Sequence, residues 1–244
     1  MATNPMHQFE VYKIGPEISF GEVNISFTNS SLFMAVSGLA ILMFLFFGTK
    51  KKLLVPSKMQ LITEMSYTFV AKMINDTAGS NAKPFFPFIF TLFMFVLFCN
   101  MVGMLPYSFT VTSHIIVTFV LAAFVFIGVT IIGFIKHGIR YLELFIPKGV
   151  PILLLPLIVV IELISYLSRP VSLSVRLFAN MMAGHTMLKV FGGFVISLGL
   201  LGGWLPLGFS VALTGLEILV AFLQAYVFEI LTCIYLNDAL NLHH

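Results

Sequence analysis

Charged side chains are scarce in this sequence, and their scarcity excludes an ordinary soluble fold. Only 9% of the 244 residues are charged, whereas soluble domains average about 25%. Residues 84–135 contain no Asp, Glu, Lys or Arg. Because a helix crosses the hydrocarbon in about 20 residues, this uncharged stretch is long enough for two crossings. The composition therefore predicts an all-α polytopic membrane protein.

Several kinds of functional site are also missing. Cys99 and Cys233 lie far apart in apolar surroundings without CxxC spacing, so we expect buried thiols rather than a disulfide or a metal centre. The sequence contains no Walker-type glycine loop, metal-ligand cluster or nucleophile motif, and we predict no catalytic activity, cofactor or metal. The net charge of +3 is scattered rather than gathered in a patch, which argues against a nucleic-acid partner.

Hydropathy predicts a single membrane domain over residues 1–244, with about five transmembrane helices. The predicted segments are an outer N-terminal segment at 1–30, a first span at 31–49, an amphipathic surface helix at 57–78, spans at 85–105 and 109–135, and long helices at 151–191 and 195–241. Leu105, Pro106 and Tyr107 suit a turn between the middle spans. The last two segments exceed one perpendicular crossing, so we expect a steeply tilted hairpin or a partly in-plane course.

Basic residues predict the orientation of these helices. Lys50, Lys51 and Lys52 follow the first span, and a second basic loop contains Lys136, Arg140 and Lys148. Such residues favour the inner side, which places the N-terminus outside and, after five crossings, the C-terminus inside. The segment 57–78 gathers its apolar residues on one face of a helix, and we expect it to lie on the inner surface.

A polar stripe follows one face of the first long segment. Its members are Glu162, Ser165, Arg169, Ser172, Arg176 and Asn180. At about 100° per residue these positions return to nearly one direction and extend over roughly 27 Å. Because charges at bilayer depth are costly, the stripe indicates a pathway, a partner or a pore.

The two arginines of the stripe allow different interpretations. Arg169 could pair internally with Glu162, with Pro170 acting only as a kink, or it could be functional. Arg176 has no acidic residue within eight positions on its own helix. Since a guanidinium keeps its charge near neutral pH, Arg176 is predicted to attract a carboxylate and promote its deprotonation.

Further polar residues lie in the two long segments. His185 is nine residues after Arg176 and faces another direction, where it could serve a proton pathway or form an ordinary neutral hydrogen bond. Glu217 and Gln224 share one face of the last segment. Glu217 could neutralise His185 or Arg176, or take protons from outside. Glu229 and Asp238 lie nearer the inner end, and we expect a solvated or capping role for Asp238.

The motifs "LSVRLFANMMAGH", "IELISYLSRPVSL", "NMVGMLPYSF" and "ALTGLEILVAFLQAYVFEILTCIYLNDALNLH" resemble subunit a of the F-type ATP synthase over nearly the whole chain. The order of histidine and acid is similar to that of alphaproteobacterial and mitochondrial members. The resemblance implies a proton-translocating stator with two offset half-channels beside a rotating ring of c subunits. The last two helices would form a steeply tilted hairpin against that ring.

The resemblance also implies roles for individual residues. Arg176 would face the ring carboxylate, and His185 and Glu217 would serve the outer half-channel. Asn180 and Gln224 would lie near the proton path, and Glu162 would lie at the inner half-channel.

The resemblance implies partners and a location as well. The partners would be the c-ring, the b subunits of the peripheral stalk, other ATP synthase subunits and the lipid bilayer, with protons as the transported ion. We expect a bacterial inner membrane, with a mitochondrial inner membrane as the alternative. A self-contained proton channel or antiporter remains the competing hypothesis, although such transporters often carry internal repeats and none is evident. A purely structural assembly subunit is the third.

Overall fold

The computed structural model of the protein describes residues 9–14, 19–20, 23–24, 26–50, 55–105, 108–145 and 154–241. Within these residues six α-helices dominate. They are α1 (Asn29–Thr49), α2 (Lys58–Ala78), α3 (Phe86–Gly103), α4 (Ile115–His137), α5 (Leu155–Gly202) and α6 (Trp204–Leu240). Short 3-10 helices occupy Ser80–Phe85, Val111–Ser113 and Gly138–Phe145, and the two-residue strands β1 (Ser19–Phe20) and β2 (Val23–Asn24) pair antiparallel.

Five of the helical segments are long and apolar enough to cross a membrane. They are Asn29–Thr49, Ser80–Gly103, Ile115–Leu142, Leu155–Gly199 and Trp204–Leu240. The predicted all-α polytopic fold class is thereby confirmed. The helix α2 is not among these five, and its in-plane position on the inner surface stays a prediction.

Some predicted features lie outside the described residues. They include much of the outer segment 1–30, the beginning of the segment 151–191, and the residues Lys51, Lys52, Pro106, Tyr107 and Lys148.

Local signals explain where several helices begin and end. Thr28 and Ser57 cap α1 and α2, since their hydroxyl groups accept hydrogen bonds from the amides of Ser31 and Gln60. Gly79 ends α2 with φ 73°, and Gly138 ends α4 with φ 58°. Glycine suits both positions because it adopts positive φ without steric cost.

The helix α6 lies at the centre of the packing. It contacts α2, α3, α4 and α5, while α1 packs on α2 and α3. The buried core shared by these helices includes Val70, Ile89, Met94, Val125, Leu177 and Phe228. Every other described crossing except α1 therefore depends on α6 for part of its buried surface.

The helices α5 and α6 form a hairpin that turns at Gly203. With 48 and 37 residues, they are about 72 and 56 Å long at 1.5 Å per residue. Both lengths exceed a hydrocarbon thickness of about 30 Å. Gly199 interrupts α5 with φ 60° and ψ −156°, so the last turn is offset from the rest. Such lengths require tilt or a course that leaves the hydrocarbon, and the direction of tilt against a ring stays a prediction.

The close crossing of α1 and α2 requires a glycine. Gly48 is buried in the last turn of α1, and a methyl group at this position would overlap the Thr63 side chain of α2. The two helices therefore approach at a point where only hydrogen fits.

We expect Gly48→Ala to lower the amount of folded chain, because the methyl group forces α1 and α2 apart at a cost of about 1–3 kcal/mol. Gly38→Ala on the same helix is the matched control, since a methyl group there meets nothing within 4 Å. Quantitative immunoblotting of washed membranes measures both variants. Equal accumulation of the two chains would contradict the packing argument.

Candidate functional site

His185 and Glu217 meet between α5 and α6. Nδ1 of His185 lies 3.2 Å from Oε1 of Glu217, and the two residues are only 6% and 4% exposed. The antiparallel hairpin brings them together although 32 positions separate them. Neither oxygen of Glu217 has a hydrogen bond to the described residues. Among those residues, His185 is the basic side chain that lies within ion-pair distance of its carboxyl group. Of the predicted alternatives for Glu217, the structure favours His185 over Arg176.

A glycine makes this contact possible. A methyl group at Gly184 would lie 2.8 Å from Oε1 of Glu217, which is closer than real carbon–oxygen contacts allow. Because Gly184 has no side chain, the carboxyl group of Glu217 can approach α5 beside His185.

A second polar cluster lies on the opposite side of the His185 ring. Oγ1 of Thr110 is 3.0 Å from Nε2 of His185 and also donates a hydrogen bond to the carbonyl oxygen of Gly103. In the same loop Thr112 donates to Oδ1 of Asn100 at 2.9 Å, and Asn100 donates to the carbonyl oxygen of Ala221 on α6. Sequence reasoning missed this cluster, because hydroxyl residues in a loop carry no periodic signal.

His114 stands at the start of α4, next to this cluster. Its ring stacks on Phe109 with centroids 5.0 Å apart. Burial lowers the pKa of His114, and a hydrogen bond to the Phe9 backbone opposes this in part. The neutral ring is therefore favoured near neutral pH.

Asn180 and Gln224 link the same two helices nearer the middle of α6. Nδ2 of Asn180 donates to Oε1 of Gln224 at 2.8 Å. Gln224 is 3% exposed, whereas Asn180 lies on the exposed side of α5. These two predicted residues are thus brought together, one turn of α5 away from Arg176.

Arg176 is exposed on the outer face of the hairpin. No ion pair or hydrogen bond joins it to any residue in the described ranges. Glu162 lies 14 positions earlier and is half-buried, about 21 Å away along the helix. The structure therefore keeps Arg176 and Glu162 apart from the His185–Glu217 pair.

Arg169 belongs to an internal contact. Its Nη1 lies 3.1 Å from Oδ2 of Asp238, and its guanidinium lies over the rings of Tyr166 and Tyr235 at 5.3 and 5.0 Å. The internal-pair interpretation is confirmed, but the partner is Asp238 rather than Glu162. Asp238, for which a solvated or capping role was expected, is 29% exposed. The expectation did not include its pairing with Arg169, because a contact across 69 positions leaves no periodic trace in the sequence.

Three other buried side chains are those of Glu229, Cys99 and Cys233. Glu229 is fully buried, and neither of its oxygens has a hydrogen bond to the described residues. Its burial was not predicted, since the sequence placed it only near the inner end. Cys99 and Cys233 are free and buried, as predicted. Among the described residues, no group of three His, Cys, Asp or Glu side chains could hold a metal ion.

Comparison with known proteins gives a consistent result. The model of the family described as "ATP synthase A chain" matches residues 31–237. An ATP synthase subunit a from Pelagibacter ubique is 79% identical over 244 residues, with both chains covered completely. The subunit a of Chelativorans sp. is 60% identical with both chains covered completely. That of Parvibaculum lavamentivorans is 58% identical over 99% of this chain and 95% of its own.

We expect removal of one partner of the Arg169–Asp238 pair to cost more than removal of both. Arg169→Leu leaves a carboxylate partly buried without its hydrogen bond, which costs about 1–3 kcal/mol. The double variant Arg169→Leu, Asp238→Leu leaves no unpaired charge. Heat-induced loss of folded chain in isolated membranes compares the native chain, Arg169→Leu, Asp238→Leu and the double variant. A double variant whose loss of stability equals the sum of the losses in the two single variants would contradict the pairing.

Proposed function

Since the chain belongs to the ATP synthase subunit a family, we propose that it is the proton-translocating stator of the membrane sector. In this role it offers two offset half-channels that load and unload protons on the carboxylates of a c-ring. The observation that carries the proposal is Arg176, a permanent cation on the exposed face of a membrane helix without an acidic partner in the described ranges.

The surroundings of Arg176 favour a partner from another chain. The exposed residues one turn before and one turn after it on the same face, Ser172 and Asn180, are polar but uncharged, so neither of them balances the charge of the guanidinium. A guanidinium facing only lipid would cost several kcal/mol. A carboxylate carried by another subunit removes this cost, and the positive charge favours its ionised form. A ring that presents such carboxylates in turn meets both requirements.

The buried His185–Glu217 pair supports a loading site distinct from Arg176. His185 follows Arg176 by nine positions and points to another side of α5. A proton held by this pair can neutralise a ring carboxylate, and a neutral acid enters lipid at far lower cost than a charged one. The hydrogen bond between Asn180 and Gln224 lies between this pair and Arg176 along α5 and α6.

Glu162 suits the other half-channel. It lies about 21 Å from Arg176 along α5, in the direction opposite to His185. Arg176 between the two sites would prevent protons from crossing without the ring. A potential of about 100 mV then contributes roughly 2.3 kcal/mol for each proton carried round.

The proposed assembly and location follow from the same relationship. The partners are the c-ring, the b subunits of the peripheral stalk and the other ATP synthase subunits, and the membrane is a bacterial inner membrane. Lys50 and Lys136 support an outer N-terminus and an inner C-terminus. ATP chemistry belongs to partner chains, and this chain is the non-catalytic proton channel.

We expect Arg176→Ala to abolish ATP-driven acidification of inverted vesicles, because ring carboxylates lose the cation that holds them ionised. Arg176→Lys should also pump poorly, since a lysine that the ring covers can lose its charge. Arg140→Ala, which removes an exposed arginine of the 3-10 segment after α4, is the control. Native pumping by an assembled Arg176→Ala complex would refute the stator proposal and favour a self-contained channel or an assembly subunit.

We expect Gly184→Ala to reduce pumping, because its methyl group displaces the Glu217 carboxyl from His185. Gly192→Ala on the same helix is the matched control, since a methyl group there meets nothing within 4 Å. The initial rate of ATP-driven acidification, divided by the amount of assembled complex, compares the two. A Gly184→Ala complex that pumps as fast as Gly192→Ala would show that the His185–Glu217 contact is dispensable.

A further inference from the structure

Both ring nitrogens of His185 have a polar neighbour, and only one of these neighbours is titratable. Nδ1 faces the carboxyl group of Glu217, and Nε2 faces the hydroxyl group of Thr110 at 3.0 Å. Thr110 is fully buried in the loop between α3 and α4. The histidine is therefore held from two sides by groups on different elements.

The carbonyl oxygen of Gly103, 3.2 Å from Oγ1 of Thr110, is an acceptor for the hydrogen of the hydroxyl group. A hydroxyl group has one hydrogen to give. When that hydrogen is donated to Gly103, the Thr110 oxygen can only accept at His185, which requires a hydrogen on Nε2. Gly103 permits this arrangement, because a methyl group there would lie 2.7 Å from Cγ2 and 3.0 Å from Oγ1 of Thr110.

We infer that Thr110 is a positioning residue that fixes the Nε2–H form of His185 and leaves Nδ1 as the nitrogen that exchanges a proton with Glu217. This inference rests on the proposed function, in which the pair loads protons, and it assigns the proton to particular atoms. Thr110 itself neither gains nor loses a proton.

The proton balance favours this tautomer. At the 3.2 Å separation of Nδ1 and Oε1, a neutral Glu217 can turn its O–H group toward the lone pair of Nδ1. Transfer breaks this O–H bond and forms an N–H bond at Nδ1, which gives a carboxylate and an imidazolium. The bond from Nε2–H to Thr110 is the same in both states.

The other neutral tautomer lacks this property. With hydrogen on Nδ1, a protonated Glu217 would face a second donor and its O–H group would have no acceptor at His185. The pair would then be hydrogen-bonded only with Glu217 ionised. Fixing Nε2–H allows the pair to hold its proton at either atom without rotating the ring.

Nitrogen-15 NMR of the assembled complex in membranes tests the assignment directly. Histidine is labelled, and the His185 signals are identified by their loss in His185→Gln. We expect a protonated Nε2 in the native chain and in Thr110→Ser, and a mixture of tautomers in Thr110→Val. A native His185 with hydrogen on Nδ1 alone would overturn the inference. The native spectrum decides this whatever the variants do, and it is independent of the Arg176 test of the stator.

ATP-driven acidification provides the functional test. We expect Thr110→Val to lower the rate about fivefold, as for loss of one hydrogen bond, and Thr110→Ser to restore it. Thr118→Val is the control, because the hydroxyl of this buried residue donates only to carbonyl oxygens at the start of its own helix. Equal rates for Thr110→Val and Thr110→Ser would also overturn the inference, since a positioning role requires the hydroxyl group.

Discussion

The cost of placing charge in hydrocarbon is the constraint on which the rest of this structure depends. The chain contains few charges, and those inside the long helices are arranged in different ways. Arg169 is satisfied within the chain by Asp238 and two tyrosine rings. Arg176, two turns later on α5, receives no such partner in the described ranges. The two arginines, seven positions apart, therefore differ in their partners. The guanidinium of Arg169 pairs with a carboxylate of this chain, whereas that of Arg176 is exposed and has no acidic partner in the described ranges.

The sequence predicted the features that depend on local pattern. Hydrophobic runs gave the five crossings, because helix length and bilayer thickness are directly related. Residue spacing placed Arg176 on one face of α5 and His185 on another, because helical periodicity is regular. The amphipathic segment 57–78 was predicted as a helix for the same reason, and α2 occupies Lys58–Ala78.

Contacts between helices or loops that are distant in sequence could not be predicted from hydropathy or residue spacing. The pairing of Arg169 with Asp238 depends on how α5 and α6 are aligned, which the spacing within either helix does not determine. Thr110 lies in a loop without periodicity, and its position against His185 depends on the approach permitted by Gly103. The burial of Glu229 likewise depends on α6 being surrounded by other helices. The expectation for Asp238 missed its partner, because the spacing within α6 does not show that Arg169 of α5 lies beside it.

The central position of α6 has a consequence for biosynthesis. A ribosome makes α6 after the other five described helices, yet α2, α3, α4 and α5 all contact it. The earlier helices must therefore wait in the bilayer with part of their buried surface facing lipid, including the polar groups of Asn100 and His185. The buried core therefore forms only after α6 has been synthesised. Until then, membrane chaperones and proteases can act on the incompletely folded chain.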